Sequence, residues 1–164
     1  MRKKFRMGLF LPEKIACHLR LENTIDFDTL QEKNPDVYAW IQIPGTLVDY
    51  PILQHPTDRL YYLNHTIDGT AGLPGSIYSE AIHPKDFSAP MTVLYGHNMR
   101  NGTMFGSLHD YEDPAELTEA PYVYSYLPEK TLVYQVFAAV RFLPRAGLRA
   151  TSRLPMAGEG RPDV

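Results

Sequence analysis

The run TVLYGHNMRNGTMFGSL, residues Thr92–Leu108, holds the residue best suited to chemistry in this chain. Thr92, Val93, Leu94 and Tyr95 form a β-branched, apolar stretch that stops at Gly96 and delivers His97 at its mouth. A histidine at the end of a buried strand, beside a glycine that leaves backbone room, is a common way to hold an acid–base group at a cleft. On spacing alone, a lone strand-end histidine is more often structural than catalytic, so its partners decide the matter. Cys17-His18 is a poor dyad, because neighbours on a helix or a strand point in different directions. Ser79 and Ser107 lie in no nucleophile-elbow pattern. Histidines 18, 55, 65, 83, 97 and 109 show no H-x-H or H-x-x-x-H spacing, so no metal site is expected.

Elements must position this histidine, and the chain offers mainly strands. Phe27–Lys33 reads as a short helix that ends before Pro35, since a residue before proline avoids the helical region. Val37–Ile43 and Val48–Leu53 read as strands flanking the Pro44-Gly45 turn, with Pro51 placing the second at an edge or bulge. Asp58–His65 reads as about one helical turn with Leu60, Tyr61 and Leu63 inward. Gly75–Ser79 and Met91–Tyr95 are further strands. Met104, Phe105, Leu108 and Tyr111 fall at helical spacing behind Thr103 as a cap. Tyr122–Tyr126 and Thr131–Phe142 alternate as strands about the Pro128-Glu129-Lys130 turn, with Tyr122, Tyr124 and Tyr126 on a face expected to pack against a helix. Many short strands with short helices point to a small, mostly β barrel or sandwich.

Composition limits the function classes. The 164 residues suit one domain, and 44% hydrophobic with 21% charged residues is ordinary for a globular protein. A net charge of −3 gives no basic excess of the kind that nucleic acid attracts. Cys17 is the single cysteine, which excludes an internal disulfide framework. Residues 1–26 read as a frayed or helical N-terminal extension. Arg2, Lys3, Lys4 and Arg6 precede an apolar run, Met7–Leu11, that Pro12 breaks well short of the roughly 20 residues a membrane span needs. Character changes again near Phe142. Residues 143–164 are rich in Arg, Pro, Gly and Ala without periodicity, as in a disordered tail or a shifted reading frame.

The blocks NPDVYAWIQIPGTLVDYPILQ (Asn34–Gln54), DRLYYLNH, GSIYSE (Gly75–Glu80) and YGHNMRNGTMFGSL (Tyr95–Leu108) resemble, in order and spacing, a class B sortase. The last block is the specific one, and the resemblance covers residues 27–142. It implies an eight-stranded sortase β-barrel with helical decorations, here incomplete because the C-terminal strands are missing. It also implies a cysteine transpeptidase of Gram-positive bacteria at the extracytoplasmic face of the membrane, working without cofactor. In that family a thiolate attacks a Thr–x carbonyl in a C-terminal sorting signal, a histidine exchanges protons, and an arginine stabilises the oxyanion. The acyl group then passes to a peptidoglycan or pilin amine.

Only the histidine carries over by motif, as His97; Leu63 and Tyr95 match positions that border the substrate groove. The TLSTC-like cysteine strand and the arginine strand that follows it have no counterpart, so the chain as it stands is expected to be a truncated or frame-shifted, inactive form. Arg59 stands where the family often has asparagine, which changes groove polarity. The alternative is a non-catalytic sortase-like module that binds the sorting peptide.

Overall fold

The computed structural model describes the backbone of residues 4–10, together with residues 23–112, 122–136 and 139. Strands β1 (Lys4–Phe10), β2 (Val37–Gln42), β3 (Asp49–Leu53), β4 (Ile77–Ser79), β5 (Met91–His97), β6 (Tyr122–Tyr126) and β7 (Thr131–Gln135) form one sheet in the order β1-β5-β4-β3-β2-β6-β7. Only β3 and β4 run parallel; the other neighbours are antiparallel. The sheet curls into part of a barrel, as the patterning of short strands and turns implies.

Among the described residues, one helix and two 3₁₀ segments decorate the sheet. Helix α1 (Phe27–Lys33) starts where Asp26 accepts a hydrogen bond from the Thr29 amide at 3.0 Å, and it stops at Asn34, whose backbone is extended ahead of Pro35. The 3₁₀ turn Tyr61–Leu63 replaces the expected helical turn, and its inward residue is Tyr62, 2% exposed, while Leu60 is 44% exposed. The second 3₁₀ segment, Gly106–Glu112, buries Leu108 and Tyr111 beside the buried Met104 and Phe105 that precede it. Thr103 does not cap it through its side chain, because the Phe105 and Gly106 amides donate to the His97 and Thr103 backbone carbonyls instead.

The two sheet faces carry separate apolar clusters. Ile41, Ile43, Val48, Ile52, Ile77, Leu94, Phe105 and Val123 belong to the larger, inside the curl. Val37, Leu53, Tyr62 and Tyr78 form a smaller one, joined by Leu30, Tyr61, Leu63 and Tyr95. Period-two alternation places Thr92, Leu94 and Gly96 on the buried side of β5 and leaves Val93, Tyr95 and His97 half-buried on the other.

Several expectations are corrected. Residues Lys4–Phe10 are not helical but pair antiparallel with β5, from Lys4 opposite His97 to Phe10 opposite Met91. The stretch alternates (Phe5, Met7, Leu9 against Lys4, Arg6, Gly8), a strand signature hidden by its basic residues. β3 is an inner strand; Pro51 is accommodated there because its second neighbour, β4, begins pairing only at Ile52. The tyrosine face of β6 is the outer one, with Tyr122 45% exposed, whereas Val123 and Ser125 are buried. Cys17, and with it the remainder of the expected N-terminal extension from residue 11 to 22, lies outside the described residues. The tail, 143–164, does so as well.

Three tyrosines make the fold sensitive to alkali. Burial raises Tyr38, whose hydroxyl lies 2.8 Å from Ser79 Oγ, well above the ordinary phenol value. Burial first, then its bond to Asp36, raises Tyr62, and burial pushes Tyr134 up to about 12. A folded-state value above the unfolded 10.0 leaves stability intact below that pH, and the contribution is lost as pH rises through the folded value. The melting temperature is therefore expected to fall steeply as pH rises from 10.0 towards about 12, with tyrosinate absorbance rising together with unfolding. A melting temperature flat across that window would contradict these burial assignments.

Candidate functional site

His97 is the last residue of β5, and its strand end is built around an absent side chain. A Cβ on Gly96 would sit 2.5 Å from Ile77 Cδ1 and 2.8 Å from Phe105 Cδ2, so only glycine lets the Phe105 ring close under the strand. The Phe105 amide then donates to the His97 carbonyl at 2.9 Å, locking the strand end to the loop that follows. The room expected beside His97 exists, and it is filled by Phe105.

The imidazole itself is half-buried and directed at the 3₁₀ turn Tyr61–Leu63. Its Nε2 lies 2.7 Å from the Leu63 carbonyl oxygen. Leu63 is half-buried in the smaller cluster, and Tyr95, two residues before His97 on the same face, stacks on Tyr78 with centroids 5.2 Å apart. The fold thus brings His97, Leu63 and Tyr95, the three expected site residues, to one face of the sheet. Next to them, the Asn98 side-chain amide lies 2.6 Å from His109 Nε2, tying the turn after β5 to the Gly106–Glu112 segment.

The turn that carries Leu63 is itself braced. Tyr62 donates its hydroxyl hydrogen to Asp36 at 2.7 Å, and Ser76 donates its amide to the Tyr62 carbonyl at 2.9 Å. Tyr61 lies between the rings of His65 and His55, at centroid distances of 3.9 and 4.5 Å. The sequence resemblance matched Leu63 only as a position that borders the groove. What it missed is that the backbone oxygen makes the contact, a feature with no residue signature.

The other nucleophile candidates are otherwise engaged. Ser79 is buried against Tyr38 and Gln54, and Ser107 Oγ accepts from the Leu47 amide at 3.2 Å. Among the described residues, no group of three or more His, Cys, Asp or Glu side chains is placed to hold a metal.

No family model matches the chain. It is 39% identical to sortase B of Listeria monocytogenes serovar 1/2a over 92 residues, 56% of this chain and 37% of that protein. Against sortase B of Staphylococcus aureus NCTC 8325 the identity is 33% over 111 residues, 68% of this chain and 42% of that protein. The fold superposes on the S. aureus sortase B–substrate complex with a TM-score of 0.60, at 28% identity over 68% of this chain and 51% of that one. Over the matched residues the chain is a homologue of the class B sortases.

Within that family it is a partial match, spanning about two-fifths of the length of the curated relatives. The YGHNM block spans the end of β5, which closes on His97. Among the described residues, no helix is long and apolar enough to cross a membrane.

Proposed function

We propose that this chain carries the histidine-bearing part of a class B sortase catalytic domain, with His97 as the acid–base group of a cysteine transpeptidase. The observation that carries the reading is the His97 imidazole, half-buried at the end of β5 and anchored to Leu63, with Tyr95 beside it on the same face. In such a site a thiolate attacks the Thr–x carbonyl of a sorting peptide, and the C–N bond breaks as the leaving amine takes a proton from the imidazolium. An incoming peptidoglycan or pilin amine then attacks the thioester, gives its proton back to His97 and releases the thiolate. Tyr95 and Leu63 would border the peptide groove, on the extracytoplasmic side of the membrane.

His97 needs a thiolate and an oxyanion-binding arginine as partners. The single cysteine, Cys17, precedes the sortase-like blocks, and no TLSTC-like motif follows them. These 164 residues are therefore proposed to be inactive by themselves. Extended by a TLSTC-like strand and the arginine strand after it, the protein is expected to cleave an NPxTN-type peptide; without them, turnover should equal the buffer blank. A folded extended protein that leaves the peptide intact would sink the reading. A chain that stays monomeric and binds the peptide without any extension would favour the non-catalytic peptide-binding module instead.

A further inference from the structure

The two ring nitrogens of His97 are not equivalent. Nε2 faces the Leu63 carbonyl oxygen at 2.7 Å, and a carbonyl only accepts. Nε2 therefore carries the hydrogen, and in the neutral ring the lone pair sits on Nδ1. Among the described residues no other side-chain hydrogen bond reaches the ring.

We propose that the Leu63 carbonyl, given room by the missing Cβ of Gly75, locks His97 in the Nε2–H tautomer and so makes Nδ1 its proton-exchanging atom. Leu63 and Gly75 are positioning residues in this scheme; neither touches the reacting atoms. The lock needs the carbonyl to reach this position, and Gly75, lacking a Cβ, leaves it the room. It is buried at φ +68°, and a Cβ there would stand 2.5 Å from the Leu63 oxygen, 2.9 Å from the Tyr62 oxygen and 3.0 Å from the Leu63 carbonyl carbon. Those neighbours are backbone, which cannot rotate aside as a side-chain tip would. The next residue continues the clamp, since Ser76 donates its amide to the Tyr62 carbonyl and its hydroxyl to the His65 carbonyl, each at 2.9 Å.

The plain alternative is that Gly75 is glycine only because its turn needs a positive φ. Gly69 separates the two explanations. It has φ +73°, close to that of Gly75, yet a Cβ there would meet nothing within 4 Å. Alanine at either position strains the backbone, but only alanine at 75 pushes on the Leu63 carbonyl.

The assignment of Nδ1 as the proton-exchanging atom rests on the proposed function, whereas the tautomer does not. The test is therefore spectroscopic. The full chain, labelled with ¹⁵N-histidine, is followed by multiple-bond ¹H–¹⁵N correlation at a pH where the His97 ring is neutral, with His97→Gln assigning its resonances. The wild type and Gly69→Ala are expected to show a protonated Nε2 and an unprotonated Nδ1. In Gly75→Ala the two nitrogen shifts should converge as the tautomers mix. A protonated Nδ1 in the wild type overturns the lock, and a Gly75→Ala spectrum matching that of Gly69→Ala overturns the role of Gly75. Should Gly75→Ala fail to fold, scalar coupling across the hydrogen bond from His97 Nε2 to the Leu63 carbonyl carbon in the wild type decides in its place: present, it supports the lock; absent, it refutes it. An extended protein with this tautomer and no turnover would defeat the catalytic reading and leave the lock standing.

Discussion

Phe105→Ala is expected to lower the unfolding free energy by about 3–5 kcal/mol, the cost of emptying a fully packed aromatic site. Phe105 has no solvent exposure and is the largest of the fully buried side chains. Its ring rests where a Cβ on Gly96 would otherwise be, so the cavity would open directly beneath the strand end that carries His97. The surroundings cannot readily collapse into it, because Gly96 has no side chain to swing inward and Ile77 is already held in the inner cluster. Against a total stability of about 5–15 kcal/mol for an ordinary domain, this is a large share. Urea denaturation of the wild type and the variant measures it. Ile82→Ala is the comparison, since Ile82 is 81% exposed; its change should stay within about 0.5 kcal/mol. If Phe105→Ala were equally mild, the packing of Phe105 against Gly96 would be wrong.

His97→Ala should show the opposite pattern: little change in stability and a large loss of chemistry. The imidazole is half-buried and makes one hydrogen bond to a carbonyl, worth about 0.5–1.5 kcal/mol net. In the proposed role, exchanging protons with the thiol and the leaving amine, it would account for a rate factor of about 10²–10⁴. In the extended protein, peptide cleavage by His97→Ala should therefore fall by that factor while its urea midpoint stays close to that of the parent. Peptide binding should persist, because Tyr95 and Leu63, the residues proposed to border the groove, are untouched. Unchanged cleavage would remove His97 from the mechanism; a collapse of stability in step with activity would make it a structural residue.

These expectations draw on features of unequal legibility in the sequence. Helix α1 was readable because its signals are local: an aspartate cap, a short amphipathic run and a proline stop. The strands from Val37 to Gln135 were readable from period-two patterning and turn residues, and the burial of Met104, Phe105, Leu108 and Tyr111 from their spacing. The position of His97 followed from the YGHNM block and the strand before it. Each of these depends on residues close together in the chain.

Where a feature depends on what lies opposite, the sequence was mute or misleading. Alternation in β6 separates two faces without saying which is inner, and the curl of the sheet buries Val123 and Ser125 while the tyrosines turn outward. Lys4–Phe10 became a strand through the ladder offered by β5, a partner more than 80 positions away. The Asp58–His65 block buries Tyr62 and not Leu60, because the Tyr62 hydroxyl finds Asp36 and Asn34 at the end of α1.

The sequence alone thus determined the family, the strand content and the histidine, since side-chain type and spacing encode them. Only the tertiary structure decided which ring nitrogen is held and by what. The partner is the backbone oxygen of Leu63, and every residue has such an oxygen; its direction exists only once the 3₁₀ turn, Gly75 and the end of β5 are packed together.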